Sequence, residues 1–149
     1  MKLALPDEAA TVAVAARLAK RLRPPMLVAL RGPLGAGKTT FVGGVLRAMG
    51  HKGVVPSPTF AVVNEYRRLR PRAVHMDLYR ATPIDLPGLA LEDYFDDAFA
   101  VCLVEWPENA GGLLPDERIE IALAHAPRGR TLVMTGKGAR AASIVKALC

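Results

Sequence analysis

Apolar positions along the chain fall into two rhythms, short continuous runs and helical spacings, and these alternate. Ala9, Val12, Ala13, Ala16, Leu18 and Ala19 recur at helical spacing between Asp7-Glu8 and Pro24-Pro25. Asp7 fits an N-cap, and Pro24 is expected to stop that helix. Met26 to Leu30 is a short apolar run of the length of a buried parallel strand. A glycine-rich loop follows, then a helical pattern from Thr39 to Met49 with Gly50 as its C′ residue. Phe60 to Tyr66 and Ala73 to Tyr79 read as strands flanking the basic segment Arg67 to Arg72. Pro83 to Phe95 predicts a short helix, and Ala100 to Val104 a second fully apolar strand ended by Glu105-Trp106-Pro107. Arg118 to Ala124 and Thr131 to Thr135 predict further strands, and Ala139 to Leu148 a closing helix. Alternating strands and helices predict an α/β fold with a largely parallel sheet.

Composition narrows the class. The chain has 149 residues, of which 51% are hydrophobic. That length predicts one domain over residues 1–149, large enough for a core without disulfides. No apolar run approaches the ~20 residues that span a bilayer, and the first residues carry acids where a secretory leader would be apolar. The expectation is a soluble cytoplasmic protein with no membrane partner. Cys102 sits in an apolar run and Cys149 ends the chain, a spacing that suggests neither a metal site nor a disulfide framework. The formal charge of +6 attracts phosphates or acidic partners. The basic residues are mostly arginines scattered along the chain, which fits a generally basic surface as well.

The loop carries the chemistry. Gly32-Pro33-Leu34-Gly35-Ala36-Gly37-Lys38-Thr39 matches G-x-x-x-x-G-K-[ST] at every fixed position. Glycines let the chain approach phosphate closely. Successive N–H groups converge on one anion-binding concavity, and the following helix presents its positive end to it. Lys38 would add an ammonium for the β- and γ-phosphates, and Thr39 a hydroxyl for Mg2+. A phosphate-loop protein needs a further metal-side acid at the end of a neighbouring strand. Glu105 ends the apolar run Ala100 to Val104, and Asp77 sits among apolar neighbours in Val74 to Tyr79. Asp77 also fits a salt bridge to Arg80, and His75 a packed core histidine. Ser57-Pro58-Thr59 stands where a switch-type loop would reach the γ-phosphate, although Ser and Pro are ordinary turn residues. Trp106 fits either the core or a partner-facing surface.

Leu34 to Thr40, Ser57-Pro58-Thr59-Phe60, Glu65-Tyr66, His75-Met76-Asp77-Leu78-Tyr79-Arg80 and Val104-Glu105-Trp106-Pro107 occur in one order along nearly the whole chain. Together with Thr11 in the first helix, they resemble the TsaE (YjeE) family of small bacterial P-loop ATPases. The resemblance implies a P-loop NTPase-like three-layer domain, with a mostly parallel central sheet and antiparallel additions. It implies a slow ATPase, with ATP as substrate and Mg2+ as cofactor, in the formation of N6-threonylcarbamoyladenosine at position 37 of tRNA. The implied partner is a TsaB–TsaD heterodimer that the ATPase resets or regulates, with tRNA met indirectly through that complex. By position, Leu34, Gly35, Ala36, Gly37, Lys38, Thr39 and Thr40 would bind nucleotide, and Thr11 would lie near the adenine. Thr39 and Glu105 would ligate the metal, while Asp77, Glu105 and Thr59 would serve hydrolysis. Pro33 departs from the family pattern, where an acid is usual, and Ala90 stands where glycine is common. A small-molecule kinase on the same scaffold, or a nucleotide-gated binding module with negligible hydrolysis, are the alternative functions.

Overall fold

A computed structural model describes residues 1–58 and 62–148 of the chain. Seven strands form one sheet: β1 (Lys2–Leu5), β2 (Met26–Arg31), β3 (Val63–Tyr66), β4 (Arg72–Asp77), β5 (Ala100–Glu105), β6 (Arg118–His125) and β7 (Arg130–Lys137). Their spatial order is β1-β7-β6-β2-β5-β4-β3. β6, β2, β5 and β4 run parallel in the middle, and β3, β7 and β1 add antiparallel edges. This is the mostly parallel α/β sheet with antiparallel additions that the alternation of apolar runs and the resemblance together predict.

Strand alternation divides the core in two. Met26, Val28, Leu30, Val101 and Leu103 point to one face, which α1 (Glu8–Ala19), α2 (Lys38–Ala48) and α5 (Ala139–Lys146) cover. Leu27, Ala29, Val74, Met76, Cys102 and Val104 point to the other, under α3 (Leu86–Leu89), α4 (Leu91–Phe95) and a 3-10 turn at Pro107–Ala110. The result is three layers. Burial in the second layer pushes the Cys102 thiol up to about 12, with a smaller contribution from Asp97.

Several boundaries differ from the sequence expectation. β1 was not anticipated, because a four-residue edge strand with only Leu5 buried carries little pattern. Asp7 does cap α1, its carboxylate accepting from the Ala10 N–H at 2.7 Å. The buried stripe of α1 is Thr11, Val14, Ala15, Leu18 and Ala19, whereas Ala9 and Ala13 face solvent. Alanine at so many positions makes adjacent stripes look alike. The helix also ends at Ala19, before Pro24, because the chain turns over Leu18 and buries Leu22. Pro83 to Phe95 holds two short helices, not one. The break falls at Ala90, whose φ of +46° is left-handed. That torsion accounts for glycine being common there, since a side chain costs roughly 1 kcal/mol in this region. Phe60, the expected start of β3, lies outside the described residues, as does Thr59.

Candidate nucleotide site

The site forms where parallel strands end. Leu30 pairs with Glu105 across β2 and β5, and Asp77 pairs with Glu105 across β4 and β5. The carboxyl ends of three strands therefore share one edge, the usual place for a ligand in an open parallel sheet. Alternation decides which face the acids take. Glu105 has the parity of Val101 and Leu103, and Asp77 that of Ala73, so both carboxylates project to the side covered by α2.

The loop from β2 to α2 packs against this edge. Gly32 has φ +143°, and a Cβ there would collide with the Leu123 carbonyl of β6. Gly37 caps α2 with φ +98°, and a Cβ would meet the Arg130 guanidinium at 3.2 Å. Gly32 therefore excludes a side chain twice over, by torsion and by space, and Gly37 by torsion, the Arg130 side chain being able to yield. Pro33 loses an N–H, but its carbonyl is what the loop uses: Ala36 N–H donates to it at 3.2 Å and the Lys38 ammonium at 3.0 Å.

Lys38 is 5% exposed, and its Nζ also donates to the Gly32 carbonyl at 2.7 Å. The ammonium lies 4.0 Å from the centroid of the Trp106 ring, within cation–π range. Burial holds its pKa below the ordinary 10.5, against the carboxylates of Glu105, Asp77 and Glu108, which act to raise it. Trp106 leaves β5 with φ +58°, a torsion unusual for a bulky residue. That turn brings its ring onto Tyr79 at 4.9 Å between centroids as well as onto Lys38.

The Thr39 hydroxyl donates to both carboxylate oxygens of Glu105, at 2.9 and 3.1 Å. Glu105 is itself 2% exposed and receives a third contact, 2.8 Å from His75 Nε2 to Oε1. A carboxylate only accepts, so Nε2 carries the hydrogen. The buried Nδ1 of His75 has no partner among the described residues. Ser57 donates to Asp77 Oδ2 at 2.8 Å, and the Tyr79 N–H to Oδ1 at 2.9 Å. These groups surround a cavity of about 460 Å3 lined by Gly35, Gly37, Lys38, Thr39, Thr40, Ser57, Asp77, Glu105 and Arg130, among others. A larger hollow of about 570 Å3, between the end of α2 and β3, lacks these groups.

Among the described residues no cluster of three His, Cys, Asp or Glu forms a protein-only metal cage. Mg2+ does not need one. It keeps several waters and takes one or two protein ligands together with phosphate oxygens. A hydroxyl and a carboxylate in mutual contact beside an anion-binding loop suit that ion.

The structure thus brings together Leu34, Gly35, Gly37, Lys38, Thr39, Thr40, Asp77 and Glu105. Ala36 is fully buried beneath them. Thr11 is not among the residues lining the cavity. It is 1% exposed, and its hydroxyl donates back to the Asp7 carbonyl at 3.3 Å. Thr59 lies outside the described residues. Arg130 lines the cavity without having been singled out; no motif marks it, since it reaches the site through sheet pairing, whereas Tyr79, which lines the cavity too, belongs to the run His75 to Arg80 that carries the family resemblance. His75 is buried, as a core histidine would be, but it is also joined to Glu105. No helix among the described residues is long and apolar enough to cross a membrane.

Similarity to known proteins agrees with this geometry. Residues 5–132 match the family model described as "Threonylcarbamoyl adenosine biosynthesis protein TsaE". The chain is 37% identical over 123 residues to the tRNA threonylcarbamoyladenosine biosynthesis protein TsaE of Haemophilus influenzae, covering 82% of this chain and 77% of that one. It is 39% identical over 121 residues to the protein of the same description from Bacillus subtilis, covering 81% and 74%. A crystal structure of Bacillus subtilis YdiB aligns with a TM-score of 0.82 at 31% identity, over 99% of this chain and 91% of that one. The chain belongs to the TsaE family of threonylcarbamoyl adenosine biosynthesis proteins.

Proposed function

We propose that this protein binds ATP with Mg2+ over the loop from Gly32 to Thr40 and hydrolyses it in support of tRNA threonylcarbamoyladenosine formation, acting on a TsaB–TsaD complex. The observation that carries the reading is the Thr39 hydroxyl held against both oxygens of Glu105, next to the buried ammonium of Lys38. Bound magnesium would neutralise charge on the β- and γ-phosphates. Thr39 and Glu105 are the residues to hold it, and His75 keeps the Glu105 carboxylate turned toward Thr39. Lys38 would exchange its two carbonyl acceptors for phosphate oxygens while keeping the Trp106 ring beside it. Asp77, held by Ser57 and the Tyr79 N–H, would orient the attacking water. That water forms the new bond to the γ-phosphorus as the bond to the β-bridging oxygen breaks, giving ADP and phosphate.

The partner assignment rests on the family alone, so it is tested directly. ADP release is measured for the protein alone and with purified TsaB and TsaD. The expected result is slow turnover alone and a clear rise with both partners. Asp77→Asn should retain ATP affinity within about threefold and lose at least tenfold in turnover, the range of a lost general-base or water-orienting group. Turnover that ignores the partners would remove the assignment to their complex. Binding of ATP without measurable hydrolysis in any combination would leave a nucleotide-gated module instead.

A further inference from the structure

We infer that Arg130 is the binding residue for the nucleoside end of the nucleotide; this rests on the ATP-binding reading above. The two flanks of the loop differ in chemistry. β4 and β5 bring Asp77 and Glu105 to one side of β2. β6 and β7 bring His125 and Arg130 to the other, where Arg130 pairs with His125 across the hairpin. Metal and γ-phosphate belong with the acids. A nucleotide whose phosphates lie along the loop amides therefore leaves its ribose and base on the β6–β7 flank.

Arg130 is built into that flank. Its Nη2 donates to the Gly35 carbonyl at 3.2 Å, which fixes the guanidinium over the loop. Its Nε is buried and has no hydrogen-bond partner among the described residues. Glycine at position 37 leaves room for it, since a Cβ there would stand 3.2 Å from that Nε. The side chain also lines the same cavity as Lys38, Thr39 and Asp77. A planar guanidinium stacks on aromatic faces, and this one lines the cavity beside the loop on the flank where a base would lie. Among the described residues the only other buried side-chain nitrogen or oxygen without a partner, Nδ1 of His75, lies on the opposite flank. Thr11 offers nothing comparable, because its hydroxyl is engaged by Asp7.

The ligand series ATP, ADP and inorganic tripolyphosphate, each with Mg2+, separates the nucleoside from the phosphates. Affinities are measured by titration calorimetry for the wild type, Arg130→Ala and Arg130→Lys, after circular dichroism has confirmed that each variant is folded. Arg130→Ala should weaken ATP and ADP alike by roughly tenfold, the size of one desolvated cation–π contact. Tripolyphosphate should change less than about twofold on the same scale. Arg130→Lys, which keeps charge without the plane, should restore only part of the loss. Equal weakening of all three ligands would overturn the inference, because the arginine would then act by shaping the loop through Gly35. Unchanged ATP affinity would overturn it as well. Failure of the wild type to bind either ATP or tripolyphosphate would sink the ATP-binding reading itself, and the inference with it.

Discussion

Lys38 shows what a single residue contributes beyond its place in a motif. Motif reasoning makes it a mobile ammonium, yet it is 5% exposed and donates to two carbonyls of its own loop. Burial lowers its pKa from 10.5, so the unfolded chain holds that proton more tightly than the folded one. The ammonium therefore costs stability below the folded pKa, and that cost fades as pH rises toward 10.5. Desolvation of a charge, roughly several kcal/mol after relaxation, is set against two charged hydrogen bonds of about 1.5–3 kcal/mol each. These nearly cancel. Lys38→Met should consequently abolish ATP binding in calorimetry while changing unfolding free energy at pH 7 by less than about 1 kcal/mol. Urea melts at pH 7 and 10 should show the wild type gaining on the variant at the higher pH. A variant several kcal/mol less stable would mean that the lysine is mainly structural.

Between elements, the decisive contact is α1 on α2. α2 closes with a Schellman arrangement, Gly50 N–H to Arg47 and His51 N–H to Leu46, both at 3.0 Å. Its middle carries Gly43 and Gly44, poor helix formers by about 1 kcal/mol each. Packing accounts for Gly44: a Cβ there would lie 2.8 Å from the Ala15 Cβ and 3.2 Å from the Val12 Cα. Neither neighbour is the end of a flexible chain. Gly44→Ala thus sets a propensity gain of ~1 kcal/mol against an overpacking cost of ~1–3 kcal/mol. The overpacking should win. A urea midpoint lower by about 1 kcal/mol equivalent is expected, and a higher midpoint would show that α1 withdraws without penalty. Because α2 also carries Lys38 and Thr39, this packing fixes the height of the loop over β5.

At the scale of the whole molecule, ligand and fold are coupled. The cavity joins residues from the phosphate loop, α2, β4, β5 and β7, so nucleotide would tie the middle of the sheet to the β7 side. With free Mg·ATP at a hundred times its dissociation constant, binding adds about 2.7 kcal/mol to stability. For a domain of this size each kcal/mol is worth ~2–4 °C, so thermal melts should rise by roughly 5–10 °C. Glu105→Ala at the same ligand concentration should lose most of that rise. A full rise in the variant would remove Glu105 from the metal site.

The local sequence determined a great deal here. The phosphate-loop glycines, Lys38 and Thr39 were legible because main-chain torsion and anion binding are satisfied within a few consecutive residues. Glu105 stood out as a candidate because it ends a fully apolar run in a chain whose phosphate loop calls for a strand-end acid; the run alone would equally suit an acid facing water. The tertiary structure decided the rest. Which stripe of α1 is buried depended on a neighbour that sequence does not show, amid alanines that suit either environment. The contact of His75 with Glu105 needed the register of β4 on β5, and Arg130 needed a strand hairpin to carry it almost a hundred positions back to the loop. Spacing along a chain encodes what neighbours can build together; distances across a sheet arise only when the strands have paired.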